Sequence, residues 1–317
     1  MFDPVPWLIG GGALHSPETA RNAIYISTQG AEGVTAPTGL RVAALSTPGT
    51  SIRVLPGSAL VLNRSVGGGE QTYTVRAGTE TNVAIAAQGA GGTRYDLIVA
   101  RVEDPWMAGT PWADPTDATV GPYVFPRVIS NVPAGTTSLQ QVAGYANDSG
   151  IALARIAVPA STATITDAMI TDLRKVAQPK RQRDLYNTQP SAVSSLTGTA
   201  ADWTTQANRT IAVPAWASQV KVVGTLAGVV CRTAAAVGNT SFMLGTLGGA
   251  GAALDMDLNT RATLVTSDTL AIPVAVRGTS VVLKLRGNRS SGTGTIQTDT
   301  YSTVLWDVEF LEVASAD

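Results

Sequence analysis

The chain has 317 residues, a net charge of −1 and only 14% charged residues. So even a balance argues against a nucleic-acid partner or an anionic membrane surface, both of which need basic excess. No stretch approaches the ~20 apolar residues of a membrane-spanning helix. Apolar residues reach 44% but aromatics only 5%, and Gly, Thr and Ser are abundant. That composition suits short strands joined by tight turns, and hence an all-β, mainly antiparallel fold with two short helices. The N-terminal MFDPVPWLIGGG lacks the basic flank and apolar core of an export signal, so synthesis in a cytosol is expected.

In chain order, Ser16-Pro17-Glu18 reads as a helix start: Ser can cap, Pro fits the first helical position and Glu suits the positive end of the dipole. Gly30 ends that helix. Strands follow over residues 40–45, 51–55, 59–63, 71–76 and 81–86. The continuously apolar run 97–102 reads as a central strand buried on both faces. Residues 104–119, DPWMAGTPWADPTDAT, form a loop. There Trp106 and Trp112 either close a hydrophobic surface or serve a functional loop. Residues 123–129 and 152–158 are further strands. A second helix is expected over 167–176, capped by Thr164 or Thr166, with Ile165, Met169, Leu173 and Val176 on one stripe. The stripe suits packing on its own domain and equally a seam between identical helices of an oligomer. It is taken forward as a candidate oligomer interface.

The domain organisation expected is a β-rich attachment domain over 1–178, a polar linker over 179–199 that includes Lys180-Arg181-Gln182-Arg183, and a β-sandwich or jelly-roll-like tip domain over 200–317. In the last, residues 286–295, RGNRSSGTGT, read as a flexible loop.

The residues offer no catalytic constellation. His15 is the sole histidine and precedes a helix cap, with no nucleophile signature elsewhere. One His and one Cys are too few for a zinc site. Cys231 lies in an apolar run and reads as a buried structural thiol. Asp255-Met256-Asp257-Leu258-Asn259 resembles half a calcium loop, but Thr260 and Thr266 stand where Gly and Glu belong, so a polar turn is the reading. No Asp or Glu stands in an aromatic-lined context that would mark a glycosidase acid. No cofactor is expected. For sugar binding, which uses exposed aromatics stacked on ring faces, Trp203 is the candidate in the C-terminal half. Trp306 lies in an apolar strand and reads as core.

Taken in order, GGGALHSPETARNAIY, GVTAPTGLRV, PGTSIRVLPGSALV, QTYTV, RYDLIVARVEDP and LARIAVPASTATITDAMITDLR resemble minor tail proteins of long-tailed phages that infect actinobacteria, over roughly residues 8–178. The resemblance implies a non-enzymatic virion protein of the tail-tip, upper-baseplate or fibre type. It implies synthesis in the host cytoplasm, a homotrimer whose contacts bury the 165–176 stripe, and attachment to other tail-tip proteins. Adhesion to a host cell-wall polysaccharide would fall to the C-terminal domain, or the whole would act as scaffold. A wall-degrading enzyme is the competing class.

Overall fold

Ser16 opens the one α-helix among the described residues. Its side chain accepts a hydrogen bond from the Thr19 amide at 3.2 Å, and α1 runs Pro17–Thr28 before Gln29 turns left-handed (φ 54°). The structure, a computed structural model, describes residues 11–107, 117 and 119–314. Nearly all other regular structure is antiparallel β. The chain divides into two units, Met1–Gln178 with Ala314–Asp317, and Pro179–Val313.

In the first unit the strands are β1 (Gly33–Val34), β2 (Val42–Ala44), β3 (Ser51–Val54), β4 (Gly57–Leu62), β5 (Thr72–Ala77), β6 (Thr81–Ala84), β7 (Arg94–Val102), β8 (Val124–Ile129), β9 (Gly150–Val158) and β10 (Ile170–Asp172). They form three sheets, β1-β4-β5, β2-β3-β6 and β10-β9-β7-β8. β7 is an interior strand with Leu97 to Ala100 all buried, as its unbroken apolar run requires. Ile98 and Ala100 face one core together with Val34, Ile52, Val61 and Leu153. Leu97 and Val99 face a second core with Ile129, Val132 and Leu139. α1 lies along β5, where the Arg21 Nε–H donates to the Gln71 Oε1 at 2.7 Å.

The second unit holds β11 (Arg181–Thr188), β12 (Ser194–Ser195), β13 (Ala201–Trp203), β14 (Arg209–Ala212), β15 (Gln219–Arg232), β16 (Ala236–Leu244), β17 (Leu247–Met256), β18 (Arg261–Ala271), β19 (Ser280–Gly292), β20 (Thr295–Thr298) and β21 (Thr303–Leu311). One sheet is ordered β11-β21-β15-β18, with β20 continuing beside β15 and carrying β12. The other is β14-β19-β16-β17, with β13 also on β19. If β13 and β14 count as one interrupted strand, and β20 and β21 as another, this alternation of neighbours between two antiparallel sheets is a jelly roll. Trp203, Phe242, Trp306 and Phe310 fill the space between the sheets. Gly224 lets the sheet accept Trp306: a Cβ there would lie 2.6 Å from the indole.

Three expectations need correction. No helix spans 167–176. Asp167–Met169 is a single 3-10 turn, and β10 then pairs with β9 through Ile170 to Asp172. The Leu173 amide donates to the Leu153 carbonyl, and Val176 forms a parallel bridge with Val34. Ile165, Thr166, Ile170 and Thr171 are β-branched and weak helix formers, so pairing with a neighbouring strand wins. The segment 179–199 is not a linker, because β11 is a full strand paired with β21 from Arg181↔Leu311 to Thr188↔Val304. Nor is 286–295 a loose loop: β19 continues to Gly292 and β20 starts at Thr295.

Candidate functional site

A cleft of the first unit lies where the start of α1, β5 and the end of β7 converge, with a volume of about 280 Å³. Buried Val102 is part of its lining. Arg21 comes from the first turns of α1, Tyr73 from β5, Asp104 and Trp106 from the chain leaving β7, and Tyr123 from the segment before β8. Asp104 organises the wall. Its Oδ1 accepts the Trp106 amide at 3.0 Å, and its Oδ2 accepts the Tyr73 hydroxyl at 2.9 Å. Burial first, then the Asp104 carboxylate, pushes the Tyr73 phenol well above its usual range, so it remains a donor. The Arg21 guanidinium lies 5.0 Å from the Tyr73 ring centroid and 3.2 Å from the Glu18 carboxylate. Trp106 and Tyr123 stand 5.7 Å apart at 53°, and Trp106 is 69% exposed. A smaller cavity, about 190 Å³, is walled by core side chains such as Leu40, Val54 and Leu153, with Phe125 and Arg76. Among the described residues its lining carries no carboxylate.

The second unit presents a different surface. On the outer face of the β11-β21-β15-β18 sheet, register aligns Asn187, Leu305, Thr225 and Val265 in one row and Leu185, Asp307, Val223 and Ser267 in the next. Leu185 is 63% exposed and Val265 55%. The row beyond carries Arg183, Glu309 and Lys221, and Arg183 donates to Asp307 at 2.7 Å.

The residues singled out from sequence fall elsewhere. Trp203 is 1% exposed, and its indole N–H donates to the Ser194 carbonyl at 2.9 Å, so it is core rather than a stacking platform. Trp306 is core. Ile165, Met169 and Val176 pack on one core of the first unit and Leu173 on the other, so the four form no single seam. Cys231 is buried. The Asp255–Asn259 segment ends β17 and turns into β18, where Arg232 donates to the Asn259 Oδ1 at 2.9 Å. Trp112 lies outside the described residues. Sequence reasoning placed no acid among aromatics, yet Asp104 stands beside Tyr73 and Trp106. The nearby signal was the DPW triplet itself; Tyr73 and Tyr123 are too far along the chain to be linked to it by pattern.

No family model and no curated protein matches the chain. Among solved structures, infectious bursal disease virus Gx strain aligns over 90% of this chain and 69% of its own at 10% identity, with a TM-score of 0.25. The VP2 subviral particle of the same virus aligns over 90% and 69% at 12% identity, TM-score 0.24. BuGH86 in complex with neoagarooctaose aligns over 82% and 32% at 7% identity, TM-score 0.22.

Proposed function

We propose that the chain is a non-enzymatic structural component of a phage tail tip, baseplate or tail fibre. It is made in the host cytoplasm and built into the virion as a homotrimer beside other tail-tip proteins, with the jelly-roll unit contributing to contact with the host surface. The tail-protein resemblance of residues 8–178 supports the setting. The observation that carries the assembly reading is the outer sheet face of the second unit. Leu185, Leu305, Val223 and Val265 run diagonally across it, alternating with Asn187, Asp307, Thr225 and Ser267, beside a row of both charge signs. A flat sheet face that mixes exposed apolar side chains with polar and charged ones suits contact with another protein. This moves the proposed subunit contact from the 165–176 stripe, which is used within the first unit, to the second.

Light scattering on the purified chain tests the assembly. The expected mass is three times the 32.6 kDa chain, falling to one chain in Leu185→Asp combined with Val265→Asp, with melting temperature retained. A monomeric wild type would overturn the homotrimer. Antibodies to the protein should decorate the tail end of particles that contain it, and decoration of the head alone would refute the tail assignment.

A further inference from the structure

We infer that the cleft at Arg21, Asp104 and Trp106 is a binding site for a neutral saccharide. The inference stands on the geometry of the first unit and does not rest on a virion role. It places sugar recognition in a different unit from Trp203, the residue the sequence pointed to.

Sugar rings offer two chemistries at once: an apolar C–H face and a rim of hydroxyls that both donate and accept. A site that takes one therefore needs an exposed aromatic wall and, within reach of it, a fixed donor beside a fixed acceptor. The cleft has both. Trp106 keeps its indole 69% exposed. Its amide is tied to Asp104, and its ring stands against Tyr123, so the platform is held in place before a ligand arrives. Beside the platform, the Arg21 Nη1 forms an ion pair with the Asp104 Oδ2 at 3.6 Å, the two side chains being 13% and 15% exposed. That is too long for a good hydrogen bond between them, and it sets a donor next to an acceptor at a spacing that two neighbouring ring hydroxyls can span. Both groups are fixed from behind. Arg21 is gripped through Nε by Gln71, and Asp104 through the Tyr73 hydroxyl. A volume of about 280 Å³ is at the small end of ligand pockets and suits one sugar ring.

Charge selects the class. Two carboxylates, Glu18 and Asp104, face one guanidinium, Arg21. The excess negative charge disfavours uronic acids and other anionic sugars, while neutral hydroxyls lose nothing to it.

The test is saturation-transfer NMR with the full chain and millimolar glucose, galactose, mannose, arabinose, cellobiose and maltose, with glucuronate as the anionic control. At least one neutral sugar is expected to bind and glucuronate to bind more weakly. Trp106→Ala should weaken binding about tenfold, as the loss of one aromatic stacking contact does, while melting stays unchanged because the ring is exposed. Trp106→Phe should recover part of the affinity, and Asp104→Asn should weaken it without removing the platform. Failure of every neutral sugar to bind overturns the inference. So does binding unaffected by both Trp106→Ala and Asp104→Asn, or a preference for glucuronate. None of these outcomes bears on where antibodies label a particle.

Discussion

At the scale of single residues, the two C-terminal tryptophans that matter are structural. Trp203 and Trp306 are at most 1% exposed, and each indole N–H donates to a backbone carbonyl, of Ser194 and Ala207 respectively. Trp203→Ala should therefore cost about 3–5 kcal/mol of stability through the cavity it opens. Chemical denaturation will register that loss, whereas a ligand-stacking residue would leave the midpoint in place. The opposite sign is expected at Thr240 and Thr266. Both are buried hydroxyls with no hydrogen-bond partner in the structure. Thr240→Val and Thr266→Val keep the shape and remove an unsatisfied group, so each should hold or raise stability, by an amount on the order of 1 kcal/mol, read from the denaturation midpoint. Charge acts at this scale too. The hydrogen bond from Arg261 holds Asp299 below the usual carboxylate range, and the one from Arg183 does the same for Asp307. A depressed folded pKa means the unfolded chain takes up the proton first. The stabilisation is complete above the ordinary Asp value of about 3.9 and drains away as pH falls through the folded values. Melting temperature should thus be level from neutral pH down to about pH 5 and fall below about pH 4. Arg261→Gln should lower stability at neutral pH and shrink the acid-dependent part. An acid limb identical to wild type would refute the assignment.

At the scale of elements, the 165–176 segment shows how one pattern can serve two structures. Ile165, Met169, Leu173 and Val176 fall near helical spacing, but the backbone makes its bonds to β9 and β1, and the four side chains divide between two cores. Asp167, placed early as if for a helix dipole, instead accepts the Ala44 amide at 2.7 Å. Arg174, placed late as if for the opposite end, is buried and donates to the Pro37 and Gly39 carbonyls at 2.9 and 2.8 Å. Ile165→Ala should accordingly destabilise the first unit by about 2–5 kcal/mol, measured by its own thermal transition, with no change in subunit number. Dissociation without loss of stability would restore the seam. Legibility followed residue size and local contrast. The start of α1 could be read from its cap, and β7 and β21 from apolar patterning. β17, LGGAGAALDM, could not, because its small residues hide the alternation, and β11 could not, because RQRDLYNT is polar at an exposed edge. The cleft was legible only at Trp106, since its other walls come from α1, β5 and the segment before β8.

At the scale of the whole molecule, the distribution of core residues decides where the chain can be cut. Among the described residues, the core of the second unit draws on residues from Tyr186 to Phe310, and those of the first on residues from Val34 to Val176. Each unit should fold by itself. Fragments 1–178 and 179–313 should each give one cooperative melting transition and a dispersed amide NMR spectrum. A second fragment, beginning at residue 200, separates the two views of 179–199. If that stretch were a linker, its removal would leave the jelly roll intact. In the structure it contributes β11, whose pairing runs the length of β21, while Tyr186 packs against the core. Deleting it turns β21 into a bare edge and thins the cover over the sandwich, and an uncovered edge invites pairing with other chains. The 200–313 fragment is therefore expected to melt at lower temperature than 179–313 and to aggregate. Equal stability of the two fragments would show that β11 is dispensable and that the shorter boundary is the true one.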